Sequence, residues 1–583
     1  VNGIFKGKIN RGYRQILKAF FYRTVPFVFI LAFVVATISA NIASTPTMDE
    51  FAHLPAGYVY IKKGDFSLYH KNPPLIKMMS ALPLTVLSPE IDFQWKWDRK
   101  NDWTPWIFGK YFMENNRAAY EDIFFWGRIP ILLLSLLLAY FVYRWAHRLY
   151  GKKSALLALF LYLFSPNIIA HSSLATIDIG ASLFILVSMY IFLAFLKAPN
   201  QKRLLFSGLV LGFAQLSKFT AIFLFIMFPL CGMLFMIWKK KYEESPFLLQ
   251  LTEKVRLSGW KALSVSILLI YLLGLAVLNA GYGFEGSFKQ LGDYQFESTF
   301  FQNLGKSGLS FLPVPLPHEY LAGFDDQKND VEFGEFPNFF MGKWSEKGWW
   351  YYLPFAFIVK TPLALSLFLL FLFFSYLFKK EQIKIDEIFL IIPILLLFFV
   401  FAFLSNLNTG IRYLLPLFPF LFILMSRILR EESEEGQIKT AMIILLAGWY
   451  AYSSLSVFPH YLSHFNELVG GPKNGYKYLI DSNIDWGQDL KGLKKYMDQK
   501  GIKHIKLAYF GSVDPEIYGI SYEIPKGYPE RGIYAISANY LQGLPYPVIY
   551  GKRMIEFEKG YFSWLKHYQP VTNIGNSIFI FNL

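Results

Sequence analysis

The chain has 583 residues, 54% hydrophobic, 19% aromatic and only 17% charged, a balance that excludes an ordinary soluble enzyme and points to a membrane protein. Its formal net charge is +15, but the basic residues cluster in short loops between apolar runs, as the positive-inside rule expects, so nucleic acid is not an expected partner. A lone cysteine, Cys231, excludes a disulfide within the chain.

The N-terminus reads KGKINRGYRQILK and leads into an apolar run at 24–42. A basic start and an apolar stretch can form a signal peptide. This run is long for one and lacks an A-x-A site, so a retained first span is expected. Further spans are expected at 128–146, 154–170, 177–196, 204–216, 219–238, 262–280, 351–378, 387–404, 411–429 and 439–457, about eleven in all. The run at 204–216 is short for a full crossing and fits a re-entrant or buried helix as well.

Loop charge gives the orientation. With a cytoplasmic N-terminus, the inner loops carry Arg144, Arg148, Lys152 and Lys153; Lys197, Lys202 and Arg203; Lys239, Lys240 and Lys241; Lys379, Lys380 and Lys384; and Arg427 and Arg430. The expected fold class is therefore a polytopic α-helical protein, multi-pass in the plasma membrane. Residues 1–457 form its membrane domain, with outer loops at 43–127 and 281–350. Residues 458–583 form a small extracytoplasmic α/β domain. Its strand-like stretches are IKLAYF, GIYAISA and NSIFIFNL, with a helix-like KGLKKYMDQK ahead of them.

The segment STPTMDEFAHLPAGYVYIKK follows the first span. Asp49 and Glu50 stand just beyond the membrane exit, and Thr47 or Asp49 can cap a helix running through FAHLPAGYVYIKK. The stretch from Phe51 to Tyr60 is apolar and aromatic with His53 embedded, as in a helix lying along the interface. A carboxylate there sits in a partly dry setting, where general-base work becomes possible. Two aromatic clusters read as interfacial belts or sugar-stacking surfaces. One is Trp95, Trp97, Trp103 and Trp106. The other is Trp344, Trp349, Trp350, Tyr351 and Tyr352.

An acid pair after the first span, followed by NPPLIK, resembles the GT-C superfamily of integral-membrane glycosyltransferases. The resemblance is to its protein O-mannosyltransferase and lipid A aminoarabinose transferase group. SPNIIAHSSLATIDIGASLF resembles the segment with the group's second acid, here Asp178. GWWYYLPFAFIVKTPLALSL, SNLNTGIRYLLPLFPFLF and LIDSNIDWGQDLKGL resemble runs in its uncharacterised members. The resemblance implies transfer of a sugar from a polyprenyl-phosphate donor, with inversion, to a protein, lipid or polysaccharide acceptor on the outer face. It implies Asp49 as general base, with Glu50 as its backup or as the group that orients Asp49 or a juxtamembrane helix. It implies Asp178 as a second cavity acid or, with Asp49, ligand to Mg²⁺ or Mn²⁺, whereas on its residues alone Asp178, with Thr176 just ahead, reads as a helix N-cap. His53 and His171 are accessory candidates.

A leaving phosphate needs cations, and Lys77, Lys218, Lys360 and Arg412 map to the outer side, at or just inside span ends. A charge at bilayer depth costs ~2.5–3.5 kcal/mol on insertion scales, so each needs a reason: snorkelling to head groups or a shared phosphate site. Arg412 suits bidentate binding of phosphate best. Asp485 is read as an N-cap in the outer domain. A transporter or flippase would place its ionisable groups near the midplane, and a non-catalytic scaffold would leave the acids and cations without a role. The enzyme reading requires Asp49, Asp178 and Arg412 around one cavity.

Overall fold

The computed structural model describes the chain apart from residues 1, 92–100, 102, 243–246, 251–255, 334–336, 380–382, 406–407, 431–435, 546 and 551–552. Trp95 and Trp97 lie outside the described residues.

Among the described residues, eight helices are long and apolar enough to cross a membrane, or ten if each of two bent pairs is one span. Two of the expected spans, 154–170 and 351–378, are bent. Lys152–Leu163 and Pro166–Ser172 meet at 61°, and Tyr352–Lys360 and Leu363–Phe378 meet at 109°. Proline causes both breaks. Pro166 opens the second piece of the first pair after an extended Ser165. Thr361, the residue before Pro362, is extended at φ −110°, ψ 150°, as that position prefers. The run at 204–216 lies in helix Gln201–Gln215, 15 residues long, or about 22 Å against a hydrocarbon core of about 30 Å. It packs on helix Gly259–Gly281 through Gly208 and Gly212, a small-xxx-small pair. A Cβ on Gly212 would lie 2.4 Å from Val277 Cβ.

Helix Asn2–Ala43 ends before Pro46, and the chain restarts as Met48–Lys63 with Thr47 as its N-cap and Gly64 (φ 69°) as its left-handed C-cap. The second helix is buried from Glu50 to Tyr60, as its apolar, aromatic sequence requires. It packs on the short helix Leu75–Ala81 at Gly57, where a Cβ would stand 2.1 Å from the Lys77 carbonyl oxygen. A third short helix, Thr104–Asn115, brings Gly109 against Phe51. The second span is longer than expected: helix Tyr120–Tyr150 carries 31 residues.

The C-terminal segment carries a five-stranded mixed sheet. Strand Ile533–Ser537 is central. It pairs parallel with Ile505–Ala508 (Lys506 opposite Tyr534) and antiparallel with Ile578–Asn582 (Ile578 opposite Ser537). Thr572–Ile574 and Tyr522–Glu523 form the edges. The three strand-like sequences form three of these strands, and helix Leu490–Lys500 covers the sheet with Leu490, Leu493 and Met497 buried. This unit docks on the segment that follows the first span. Thr45 N–H donates to Gln488 O (2.8 Å) and Met48 N–H to Trp486 O (3.0 Å).

The Asp485 expectation is corrected. Asp489 holds the N-cap position of Leu490–Lys500. Asp485 is buried and accepts the N–H groups of Gly487 (3.3 Å) and Asn539 (3.4 Å). Burial pushes its carboxyl up to about 8. The second aromatic cluster divides. Trp350 is exposed and stacks on Phe403, as an interfacial ring does, whereas Tyr352 is buried and accepts a hydrogen bond from Asn483 Nδ2 (2.8 Å).

Candidate active site

A cavity of ≈ 370 Å³ lies between the short helices that follow the first span, the ends of the membrane helices and the C-terminal unit. Asp49 and His53 enter it from Met48–Lys63, Asp178 from the first residue of helix Asp178–Lys197, and Lys218 from the turn after helix Gln201–Gln215. Arg412 and Tyr413 enter from the short helical segment Ile411–Leu417. Each acid sits in a helical first turn, where the free N–H groups and the dipole favour negative charge.

The charges are paired. Arg412 Nη1 donates to Asp49 Oδ2 at 2.5 Å, and Lys218 Nζ to Asp178 Oδ1 at 2.6 Å. The Arg412 guanidinium lies 4.5 Å from the Trp486 ring and 5.6 Å from that of Tyr413, and Lys218 Nζ lies 5.2 Å from the same tyrosine. Tyr413 thus lies beside both cations, and the aromatic faces stabilise positive charge in a partly dry site. Asp178 is fully buried, and its Oδ2 has no hydrogen-bond partner among the described residues. His171 Nδ1 is 4.0 Å from that oxygen.

His53 is buried and stacked on Tyr69 at 5.4 Å. Burial pushes its pKa down to about 4, so the imidazole is neutral at pH 7. His171 is buried with its ring 6.0 Å from Trp486, and it does not line the cavity. Trp103 and Trp106 do line it, and Trp106 Nε1–H donates to Met48 O at 2.9 Å.

Three sequence expectations are corrected. Glu50 is not placed to act as a base. It is fully buried in a two-point pair with Arg128, with Nε to Oε1 at 2.7 Å and Nη2 to Oε2 at 2.8 Å. It also accepts the N–H groups of Ala175 (2.6 Å) and Thr47 (2.9 Å). Burial alone would raise its carboxyl, but the Arg128 guanidinium and these donors hold it below its ordinary value. Arg128 further donates to the carbonyls of Asn41, Ser44 and Thr45. The pair therefore ties the end of the first span to the helix of Asp49 and to the loop leading into Asp178.

Lys77 does not face the cavity. Its Nζ donates to the carbonyls of Tyr69 (2.8 Å), Lys71 (2.9 Å) and Asn72 (2.9 Å), which uses all three ammonium protons. Lys360 is likewise buried and donates to the carbonyls of Leu462 (2.8 Å) and Asn483.

Breaking a buried pair leaves an uncompensated charge, at a cost of about 3–5 kcal/mol. Glu50→Ala should therefore destabilise the fold by about that amount, with a large fall in melting temperature in detergent. An unchanged melting temperature would deny the pair its structural role.

The expected Mg²⁺ or Mn²⁺ site does not fit these residues. Such ions take about six oxygens. Among the described residues, no three His, Cys, Asp or Glu side chains form a ligand group. The two proposed ligands each hold a protein cation.

Sequence reasoning missed Asp481, Trp486, Lys71 and Asp330, all of which line the cavity. Lys71 pairs with Asp330 at 3.1 Å. Asp481 and Trp486 belong to LIDSNIDWGQDLKGL, a run carried by resemblance alone with no cavity role attached.

Residues 107–252 match the family model described as dolichyl-phosphate-mannose-protein mannosyltransferase. Comparison with curated proteins finds no match. The crystal structure of ArnT from Cupriavidus metallidurans bound to undecaprenyl phosphate is similar at a TM-score of 0.47 and 10% identity, over 95% of this chain and 97% of that one. The archaeal oligosaccharyltransferase AglB from Archaeoglobus fulgidus, in complex with an inhibitory peptide and a dolichol-phosphate, is similar at 0.42 and 12%, over 75% and 55%. The S. cerevisiae protein O-mannosyltransferase complex bound to the sugar donor reaches 0.28 and 18%, over 45% and 32%. The family match falls in the group that the sequence motifs resemble.

Proposed function

We propose that this chain is an inverting glycosyltransferase that moves a sugar from a polyprenyl-phosphate donor to an acceptor hydroxyl at the outer face of the membrane. The observation that carries the reading is the convergence of Asp49, Asp178, Lys218 and Arg412, far apart in sequence, on one cavity. The family match over residues 107–252 supports the same donor class, and the basic inner loops support the outward orientation.

The chemistry follows from the two ion pairs. A donor phosphate competes with Asp49 for the Arg412 guanidinium, which binds phosphate as a fork. Lys218 adds a second positive charge beside the same Tyr413 ring. Once Arg412 turns to the phosphate, Asp49 is free to accept a proton. The acceptor oxygen attacks the anomeric carbon as the carbon–oxygen bond to phosphate breaks. The lipid phosphate leaves with that bond's electron pair, and the acceptor's proton goes to Asp49. Attack opposite the leaving group inverts the centre. Asp178 holds Lys218 in place, and neutral His53 offers a hydrogen-bonding edge beside Asp49.

The test is a transfer assay with purified protein against a panel of polyprenyl-phosphate sugars and hydroxyl acceptors, read by mass spectrometry. One sugar-transfer product that forms with wild type and not with Asp49→Asn is expected. No product across the panel would count against the reading.

A further inference from the structure

Asp481 is the cavity carboxylate with no cation of its own. It forms no ion pair among the described residues, whereas Asp49, Asp178 and Asp330 each hold one. Its Oδ1 accepts the Ser482 N–H at 2.5 Å, and its Oδ2 takes no hydrogen bond among the described residues. Burial pushes its carboxyl up to about 6, with nearby Arg412 opposing the rise, so it is largely ionised at pH 7.

The backbone fixes Asp481 firmly. It sits at φ 60°, a conformation that Asp, Asn and Gly tolerate. Its N–H donates to Asn539 Oδ1 at 2.7 Å, and its carbonyl accepts from Ile484 (2.9 Å) and Asp485 (3.0 Å). The next two residues grip the segment that carries Arg412. Ser482 Oγ–H donates to Thr409 O at 2.7 Å, and Ile411 N–H donates to Asn483 Oδ1 at 3.1 Å. Gly410 makes this fit possible, because a Cβ there would lie 2.2 Å from Ser482 Oγ. The C-terminal unit thus delivers one acceptor carboxylate to the same wall of the cavity as Arg412.

We propose that Asp481 accepts a hydrogen bond from a ring hydroxyl of the donor's sugar and so sets donor specificity. The proposal rests on Arg412 holding the donor phosphate. A phosphate there places the sugar one P–O–C linkage away, inside the cavity that Asp481 and Arg412 both line. A fixed carboxylate with a free oxygen suits a hydroxyl donor, because charge-assisted bonds are roughly twice as strong as neutral ones.

The test measures binding by the detergent-solubilised full chain of undecaprenyl phosphate and of undecaprenyl phosphate carrying mannose, glucose or galactose. Wild type should bind at least one glycosylated lipid more tightly than the bare lipid phosphate. Asp481→Gly keeps the backbone angle and removes the side chain. It should weaken the preferred glycosylated lipid about 10- to 100-fold and leave the bare lipid unchanged. Asp481→Asn keeps the angle and one acceptor oxygen, and should lose less. Arg412→Ala should weaken both lipids. If Arg412→Ala weakens both but the Asp481 variants change neither, or change both equally, the Asp481 assignment is overturned and the phosphate reading stands. If Arg412→Ala changes neither, the phosphate reading falls and the Asp481 assignment with it. Equal wild-type binding of bare and glycosylated lipids also overturns the assignment.

Discussion

Asp49→Asn should reduce sugar transfer by ~10²–10⁴ in kcat, the span typical of losing a general base, while the protein still inserts and folds. Asparagine keeps an oxygen for the Arg412 guanidinium, so the ion pair becomes a neutral–charged hydrogen bond. That change costs on the order of 1–3 kcal/mol, less than emptying the position. Binding should move the other way from turnover. In wild type the donor phosphate must displace Asp49 from Arg412, and the two partners now touch at 2.5 Å. With the carboxylate gone, undecaprenyl phosphate should bind more tightly. Lost transfer with tightened binding separates a base from a residue that merely holds the site together, because a structural lesion weakens both. Wild-type turnover in this variant would remove Asp49 from the base role.

The positions of Asp49, Asp178 and Arg412 were legible because charges at the outer ends of apolar spans are costly and local in sequence. The separate fates of Asp49 and Glu50 follow from helix geometry. Successive residues turn by about 100°, so one acid meets the cavity and the other meets Arg128. Lys77 and Lys360 were misread for a physical reason. A lysine that satisfies backbone carbonyls has the same sequence signature as one that waits for a phosphate. Both sit beside proline breaks, Pro74 ahead of Lys77 and Pro362 after Lys360, and irregular backbone near such breaks leaves carbonyls that need donors. The bent spans escaped notice because hydropathy measures length and not direction, although Pro166 and Pro362 were visible signals. The strands of the C-terminal sheet were readable from apolar alternation. The entry of Asp481 and Trp486 into the cavity was not, since it depends on the C-terminal unit folding back onto Thr45, Met48 and the Thr409–Arg412 segment.

Arg412→Ala should lower kcat/KM for the donor by about 30- to 100-fold, the equivalent of one strong charge-assisted phosphate contact, with the acceptor's KM nearly unchanged. Two effects add in this variant. The fork that grips the phosphate is lost, and Asp49 is left without a partner next to an anionic ligand. The second effect distinguishes Arg412 from Lys218, whose loss leaves Asp178 without its cation instead. Arg412→Lys should restore only part of the donor affinity. Lysine supplies a point charge but neither the planar fork nor the guanidinium stacking available to Arg412 over Trp486 at 4.5 Å. Lys360→Met tests the contrast. It removes a charge that, among the described residues, reaches the carbonyls of Leu462 and Asn483 and the face of the Phe465 ring, so it should lower thermal stability and leave donor KM in the folded fraction intact. Unchanged donor kinetics in Arg412→Ala would deny the guanidinium its phosphate role. A donor-specific loss in Lys360→Met would move that role to the lysine.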